Sequence, residues 1–235
     1  MSDIDAVAAL QDPVRRRLYE YVAAQGREVG RNEAAEAVAV ARTLAAHHLD
    51  KLAEAGLLES GSRRLTGRSG PGAGRPAKVY KRANVERAVS LPARDYRTAA
   101  ELLAEAAEEA GLDTGLCAAA RRRGEALRGP AASCAGLEEA MEMLAARGYE
   151  PHLEDAGSDQ AAEGPEREDV TAAPVVRMRN CPFHGVAERF PPLVCAMNLA
   201  LLEGLLGADG PVRARMDARP GGCCVMVEAS KSDIH

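Results

Sequence analysis

Four cysteines and a histidine crowd the C-terminal third of the chain. RNCPFHGVAERFPPLVC (179–195) holds Cys181, His184 and Cys195, and PGGCCVMVE (220–228) holds the adjacent pair Cys223 and Cys224. Thiolates and imidazole are ligands for thiophilic metals. Three thiolates with His184 complete a tetrahedral zinc site, and cysteine sets also hold iron–sulfur clusters. Thirteen residues separate Cys181 from Cys195, and twenty-eight separate Cys195 from Cys224. That is not the local turn of a zinc knuckle, so tertiary structure must bring these sulfurs together. The alternative is burial as small apolar side chains, which is how Cys117 and Cys134 read on their alanine-rich segments. The backbone punctuation at Pro182-Phe183-His184 and Gly221-Gly222 separates the other cysteines from that role.

The elements that must carry these residues are legible in outline. APVVRMRNC (173–181) predicts an alternating strand, and PPLVCAMNLALLEGLLG (191–207) a helix with Cys195 about one turn inside it. CCVMVE (223–228) predicts a last strand. Upstream, 113–128 and 137–148 read as helices, and GYEPHLED (148–155) starts a strand. Seven acids and one Arg between Glu154 and Asp169 predict a solvated loop. Glu203 reads as an exposed position on an amphipathic helix. The segment 94–110 places Tyr96, Ala99, Leu102, Leu103 and Ala106 on one helical face, as a dimerisation element or a connector. No Ser/His/Asp, Walker or dinucleotide pattern occurs, and GPGAGR lacks the strand-to-helix setting of a phosphate loop, so the chain does not read as an enzyme.

The N-terminal third carries a different chemistry. DPVRRRLYEYVAAQ (12–25) sets Asp12 as an N-cap and Pro13 at the first helical position, and Gly26 stops the helix. RNEAAEAVAV (31–40) predicts a helix capped by Asn32, and ARTLAAHHLDKLAEAG (41–56) a third helix ended by Gly56. In the third, Ala45, His48, Leu49 and Leu52 form the inward stripe, with His48 a packed structural residue. Arg42, Thr43, Ala46, His47 and Lys51 are the candidate DNA contacts of a recognition helix, Arg42 for bidentate donation to guanine. LLESGSRRLTG (57–67) and PAKVYKRA (76–83) read as strands around a Gly/Pro-rich loop. That arrangement is a winged helix-turn-helix. Arg63, Arg64, Arg68, Arg75 and Lys78 are its candidate phosphate contacts.

Charge divides the chain in the same way. Residues 1–90 carry 15 Lys/Arg against 11 Asp/Glu, and the remainder 15 against 24. A basic N-terminal part meets a polyanion, and an acidic C-terminal part does not. Abundant alanine with no Trp and two Phe favours a helix-rich chain. No apolar run spans a bilayer and no basic n-region precedes an apolar block, so a cytoplasmic protein with reduced thiols is expected.

HHLDKLAEAGLLE running into GPGAGRPAKVYKRA resembles the ArsR-type winged-helix regulators, and with the C-terminal CPFH…C…CCV pattern the chain is similar to SufR-like transcriptional regulators. The resemblance implies a homodimeric repressor whose C-terminal cysteines hold an iron–sulfur cluster, most simply 4Fe–4S, that sets affinity for double-stranded DNA. On it, Cys181 and Cys195 fit the first two cluster positions, and Cys224 fits the last better than Cys223. A further cysteine of that pattern falls near Asp209, where this sequence has none, leaving His184, Asp209 and Cys223 as candidates for the remaining ligand.

The expected fold class is mainly α with α+β. It comprises a winged helix-turn-helix at 1–90, a helical connector and dimerisation segment at 91–130, and an α+β cysteine-bearing sensor domain at 131–235. The expected function is operator binding controlled by the cluster in response to redox or iron status. A structural zinc site, or a small-molecule-binding C-terminal domain, are the alternatives.

Overall fold

The computed structural model describes residues 2–63, 76–130, 133–155, 173–219 and 222–230. Arg64, Arg68, Arg75, Gly221 and most of the predicted acidic loop lie outside the described residues. The chain divides into two units, Met1–Arg94 and Asp95–His235.

In the first unit, α1 (Asp3–Ala9) begins with a capping box between Ser2 and Asp5. In α2 (Pro13–Gln25) the Asp12 carboxylate accepts from the amides of Val14 and Arg15, and Gly26 ends the helix in the left-handed region. A two-residue strand, β1 (Val29–Gly30), leads into α3 (Arg31–Val38) and then α4 (Arg42–Glu54). The N-cap of α3 is Gly30, not Asn32, because the chain is still extended at Gly30 and already helical at Arg31. Ala39 turns the chain between the two helices with φ 55°, a conformation non-glycine residues adopt at a cost. The wing strands β2 (Leu58–Arg63) and β3 (Ala77–Arg82) form an antiparallel sheet in the order β1-β3-β2. Leu18, Val22, Val29, Ala34, Ala45, Leu49, Leu52 and Tyr80 pack as one core. The predicted inward stripe of α4 is therefore buried, and His48 is buried with it.

In the second unit, α5 (Tyr96–Glu109), α6 (Asp113–Arg128) and α7 (Leu137–Ala145) precede the strands β4 (Pro151–Asp155) and β5 (Pro174–Met178). The short α8 (His184–Ala187), the long α9 (Pro191–Leu206), and the strands β6 (Val212–Met216) and β7 (Val225–Ala229) complete it. The sheet is antiparallel in the order β4-β5-β7-β6. Ala140 and Leu144 of α7 and Leu202, Leu205 and Leu206 of α9 share a core with Val176, Val225 and Val227 of the sheet.

Three expectations change here. The stretch 91–130 is not a separate piece: from Asp95 onward it belongs to the second unit, because α6 packs along α9. The strand β5 does not alternate. Val175 through Met178 are all buried, because β5 is an inner strand and the Arg177 guanidinium is covered by Glu154 (2.8 Å) and Asp217. Finally, α9 is apolar nearly all round, as a helix covered on several sides must be. Glu203 on it pairs with Arg121 of α6 at 2.6 Å. Where α6 crosses α9 their backbones touch: a Cβ on Gly124 would stand 2.1 Å from the Leu201 carbonyl oxygen, and one on Gly204 2.2 Å from that of Arg121.

Candidate functional site

The chemistry predicted from the sequence falls on two sites, one in each unit. In the first unit, the α3–α4 turn and the wing strands border a cleft lined by Gly30, Arg31, Arg42, Ser60, Ser62 and Lys78, among others. Both helices of the pair begin without a side-chain cap, at Gly30 and at Ala41. Their first-turn amides are thus left to other acceptors, and the N-terminal ends of both helices favour anions. Arg42, Thr43 and His47 are exposed along α4, and Ala46 is half-buried.

Other cations are already engaged. Lys51 pairs with Glu54 at 2.8 Å, and Arg63 with Glu28 at 3.6 Å. Asp50 organises a network across α3, α4 and β3. It accepts from Lys78 Nζ (2.7 Å), the Tyr80 hydroxyl (2.5 Å) and Arg31 (3.0 Å), while Arg31 Nε donates to the Tyr80 hydroxyl at 2.9 Å. Burial pushes the Asp50 carboxyl up, but these partners outweigh it and hold it below the usual carboxylate value. Burial pushes Tyr80 up to about 12. Part of the charge of Lys78 is therefore already balanced within the unit. Burial also holds His48 below its ordinary value, so it packs as a neutral ring.

In the second unit the fold brings four sulfurs into one network. Cys181 lies in the turn after β5, closed by the His184 amide donating to the Cys181 carbonyl at 3.0 Å. Cys195 is the fifth residue of α9. The Cys223 amide donates to the Met178 carbonyl at 2.9 Å, and the Cys224 carbonyl accepts from the Asp217 amide at 2.8 Å, so the vicinal pair is held between β5 and the end of β6. Cys223, 4 % exposed, is the hub. Its sulfur interacts with the thiols of Cys181 and Cys224, and accepts from the Val225 amide and from Asn198 Nδ2 at 3.3 Å. Cys224 in turn bonds to Cys195, and the Cys181 sulfur accepts from the Phe183 amide. Those contacts lower the Cys223 thiol, while the same sulfur contacts, together with burial, push Cys181 and Cys224 up.

The structure does not bring every candidate to this network. His184 pairs with Glu188 at 3.3 Å on an exposed turn. Asp209 is exposed beyond the C-terminus of α9, about 16 Å along the helix from Cys195. Cys117 is half-buried on α6, and Cys134 is buried just before α7, its thiol donating to the Gly136 carbonyl at 3.2 Å.

Sequence reasoning missed two residues behind the hub. Tyr149, 3 % exposed, donates to Asn198 Oδ1 at 2.5 Å, and Asn198, fully buried, turns its amide N–H onto Cys223. A lone Asn in the apolar run VCAMNLALL was the available signal. Tyr149→Phe is expected to strip that buried oxygen of its donor and cost about 1–3 kcal/mol in the metal-free protein. Denaturant unfolding checks this, and a loss below about 0.5 kcal/mol would contradict the arrangement.

As a donor set, four cysteine sulfurs with amide N–H groups directed at two of them suit a soft metal or an iron–sulfur group. Among the described residues, no group of three or more His, Cys, Asp or Glu side chains is already set to hold a metal ion. The cysteines are free thiols, so a metal ion would bind them only with loss of their protons.

A family of helix-turn-helix domains matches residues 10–61, the span from the end of α1 to β2. The first unit is thus a helix-turn-helix domain of the class found in DNA-binding transcriptional regulators. Neither a curated protein nor a solved structure matches the chain. No helix among the described residues is long and apolar enough to cross a membrane.

Proposed function

We propose that the protein is a homodimeric, winged-helix transcriptional repressor whose C-terminal unit carries an iron–sulfur cluster on Cys181, Cys195, Cys223 and Cys224, and whose operator affinity follows the state of that site. The observation supporting the sensor half is that Cys181 and Cys224 meet Cys223, and Cys195 meets Cys224, so thiols from a turn, a helix and a strand start lie together. Cys223 supplies the fourth sulfur for which the sequence offered several candidates. When bound, such a cluster supplies a redox-active and oxidant-labile group. The chain's own part is to deliver the sulfurs, to direct the Phe183, Val225 and Asn198 N–H groups at them, and to keep Cys223 from water. Such N–H donors stabilise negative charge on sulfur and orient the ligands.

Control of DNA binding is then linkage: the factor by which occupation of the thiol site changes DNA affinity equals the factor by which DNA changes affinity at the thiols. The DNA half rests on the helix-turn-helix match, on the uncapped starts of α3 and α4, and on Arg42 beside them. The chain acts as a regulator, not as an enzyme.

The test is anaerobic purification followed by visible spectroscopy, with iron, sulfide and zinc analysis, and DNA titrations before and after metal removal. Iron and sulfide in equal amounts, and a DNA affinity that changes about 5- to 150-fold on removal, are expected. Colourless protein with one zinc per chain replaces the cluster with a structural zinc site. Metal-free protein with unaltered DNA binding removes the sensor reading and leaves a helix-turn-helix regulator.

A further inference from the structure

Among the described residues, the cleft of the first unit is lined by the cations Arg31, Arg42 and Lys78 and by one acid, Glu33. Glu33 is already engaged: its carboxylate accepts from Arg27 at 2.5 Å and from the Tyr21 hydroxyl at 3.2 Å. The cleft is therefore positive, and how positive depends on what its three cations already hold. Arg42 is exposed and makes no ion pair with a described residue.

Arg31 and Lys78 are differently placed. They come from α3 and β3, yet both reach one carboxylate, Asp50 of α4, at 3.0 and 2.7 Å. Both also lie over one aromatic ring. The Arg31 guanidinium carbon is 5.8 Å and Lys78 Nζ 5.5 Å from the centroid of Tyr80, close enough for cation–π attraction. Tyr80 is fully buried, and its hydroxyl donates to the same carboxylate at 2.5 Å. Ring and carboxylate form a bracket that fixes two cations. Neither Asp50 nor Tyr80 is among the described residues lining the cleft, so the bracket holds its cations from behind. The side chains of Arg31, Lys78 and Asp50 are 32, 37 and 38 % exposed, so water does not separate the pairs and a ligand can still reach the cations.

The physics of duplex DNA gives this bracket a consequence. Each phosphate that a protein cation neutralises releases about 0.9 of a condensed counterion, and the sum sets how steeply affinity falls with salt. Two unpaired cations count twice. Two cations that share one carboxylate carry a net charge of one, and count once. A bracketed cation also meets only the phosphate that comes to it, whereas a free one follows any phosphate nearby.

We infer that Asp50 is a positioning residue of the DNA-reading head, which holds Arg31 and Lys78 as a single unit of positive charge at the cleft wall and so restrains sequence-independent attraction to DNA. The inference rests on the DNA half of the reading above. It gives a residue of the recognition helix a role in discrimination without any contact to a base.

The test is the salt dependence of binding to a short duplex of random sequence, measured on the full chain, with circular dichroism checking the fold. Asp50→Asn keeps the shape of the side chain and removes its charge. It is expected to steepen the log–log slope by about 0.9 and to tighten binding about tenfold at about 0.1 M salt. Asp50→Glu, which keeps the charge, retains the parent slope. Arg31→Gln/Lys78→Gln is expected to lower the slope by about 0.9 in the parent chain, the value of one cation, and by about 1.8 in the Asp50→Asn background, the value of two. If Asp50→Asn does not fold, the double change in the parent chain decides alone. An Asp50→Asn chain that binds more weakly with an unchanged slope makes Asp50 a packing residue. A loss of about 1.8 on removing both cations from the parent shows that they act independently. Either result overturns the inference and leaves DNA binding in place. A parent chain that does not bind the duplex at low salt overturns the DNA reading, and the inference with it.

Discussion

Gly204→Ala is expected to unfold the C-terminal unit at temperatures where the parent chain is folded. The added Cβ would stand 2.2 Å from the Arg121 carbonyl oxygen and 3.0 Å from both the Arg121 carbonyl carbon and the Glu125 nitrogen. All three are backbone atoms in the middle of α6, so no rotamer change relieves the clash. The helices must move apart, and α9 also holds the core leucines Leu202, Leu205 and Leu206 against the sheet. Overpacking a well-packed contact costs about 1–3 kcal/mol, and a backbone collision belongs at or above the top of that range. Against a typical total of about 5–15 kcal/mol, this is a large fraction.

Gly124→Ala meets the Leu201 carbonyl oxygen at 2.1 Å and is expected to behave alike. The two changes press on one contact, so the double variant loses less than the sum of the singles. Gly115, in the same helix as Gly124, has nothing within 4 Å of the place an alanine methyl would take and serves as control: alanine there is neutral or stabilising by up to about 1 kcal/mol. Urea unfolding followed by circular dichroism reads all four. Gly204→Ala within about 1 kcal/mol of the parent would show that α6 and α9 do not cross as described.

Cys223→Ser should empty the thiol site more completely than any other single cysteine change. Its sulfur is where Cys181, Cys224, Asn198 and the Val225 amide converge. A serine oxygen is a harder donor that does not ionise near neutral pH, and soft metals discriminate against it. Metal content after anaerobic purification is expected to fall at least tenfold relative to the parent chain, whereas Cys117→Ser, remote on α6, retains it. The readout is metal and sulfide per chain, with DNA affinity as a second measurement. Full loading of Cys223→Ser alongside loss in Cys224→Ser would move the hub to the neighbouring residue and contradict the role given to Cys223.

The legible parts of the chain are those whose signals are local. Asp12, Pro13 and Gly26 mark both ends of α2 because capping and the left-handed turn depend on single residues. The stripe Ala45, His48, Leu49 and Leu52 marks the buried side of α4 because periodicity survives without tertiary knowledge. β1 escaped reading because two residues have no period, and β3 supplies its hydrogen bonds from fifty residues away. The short α8, and β6 with its run VRARM, also went unread. At the thiol site, residue types named the candidates, but that Cys223 lies beside the other sulfurs while His184 and Asp209 do not follows from contacts such as its hydrogen bond to Met178 of β5, which join distant segments. The Asp50 network and the Gly124–Gly204 crossing are contacts between distant segments, and neither announces itself in the string.

The four sulfurs are not equally sheltered: Cys223 is shut away, while Cys181, Cys195 and Cys224 each keep some contact with solvent. A reagent diffusing in from outside thus encounters the periphery of the constellation before its centre. Access from solvent runs by way of the outer three, and the sulfur that ties the others together is the least accessible of the four.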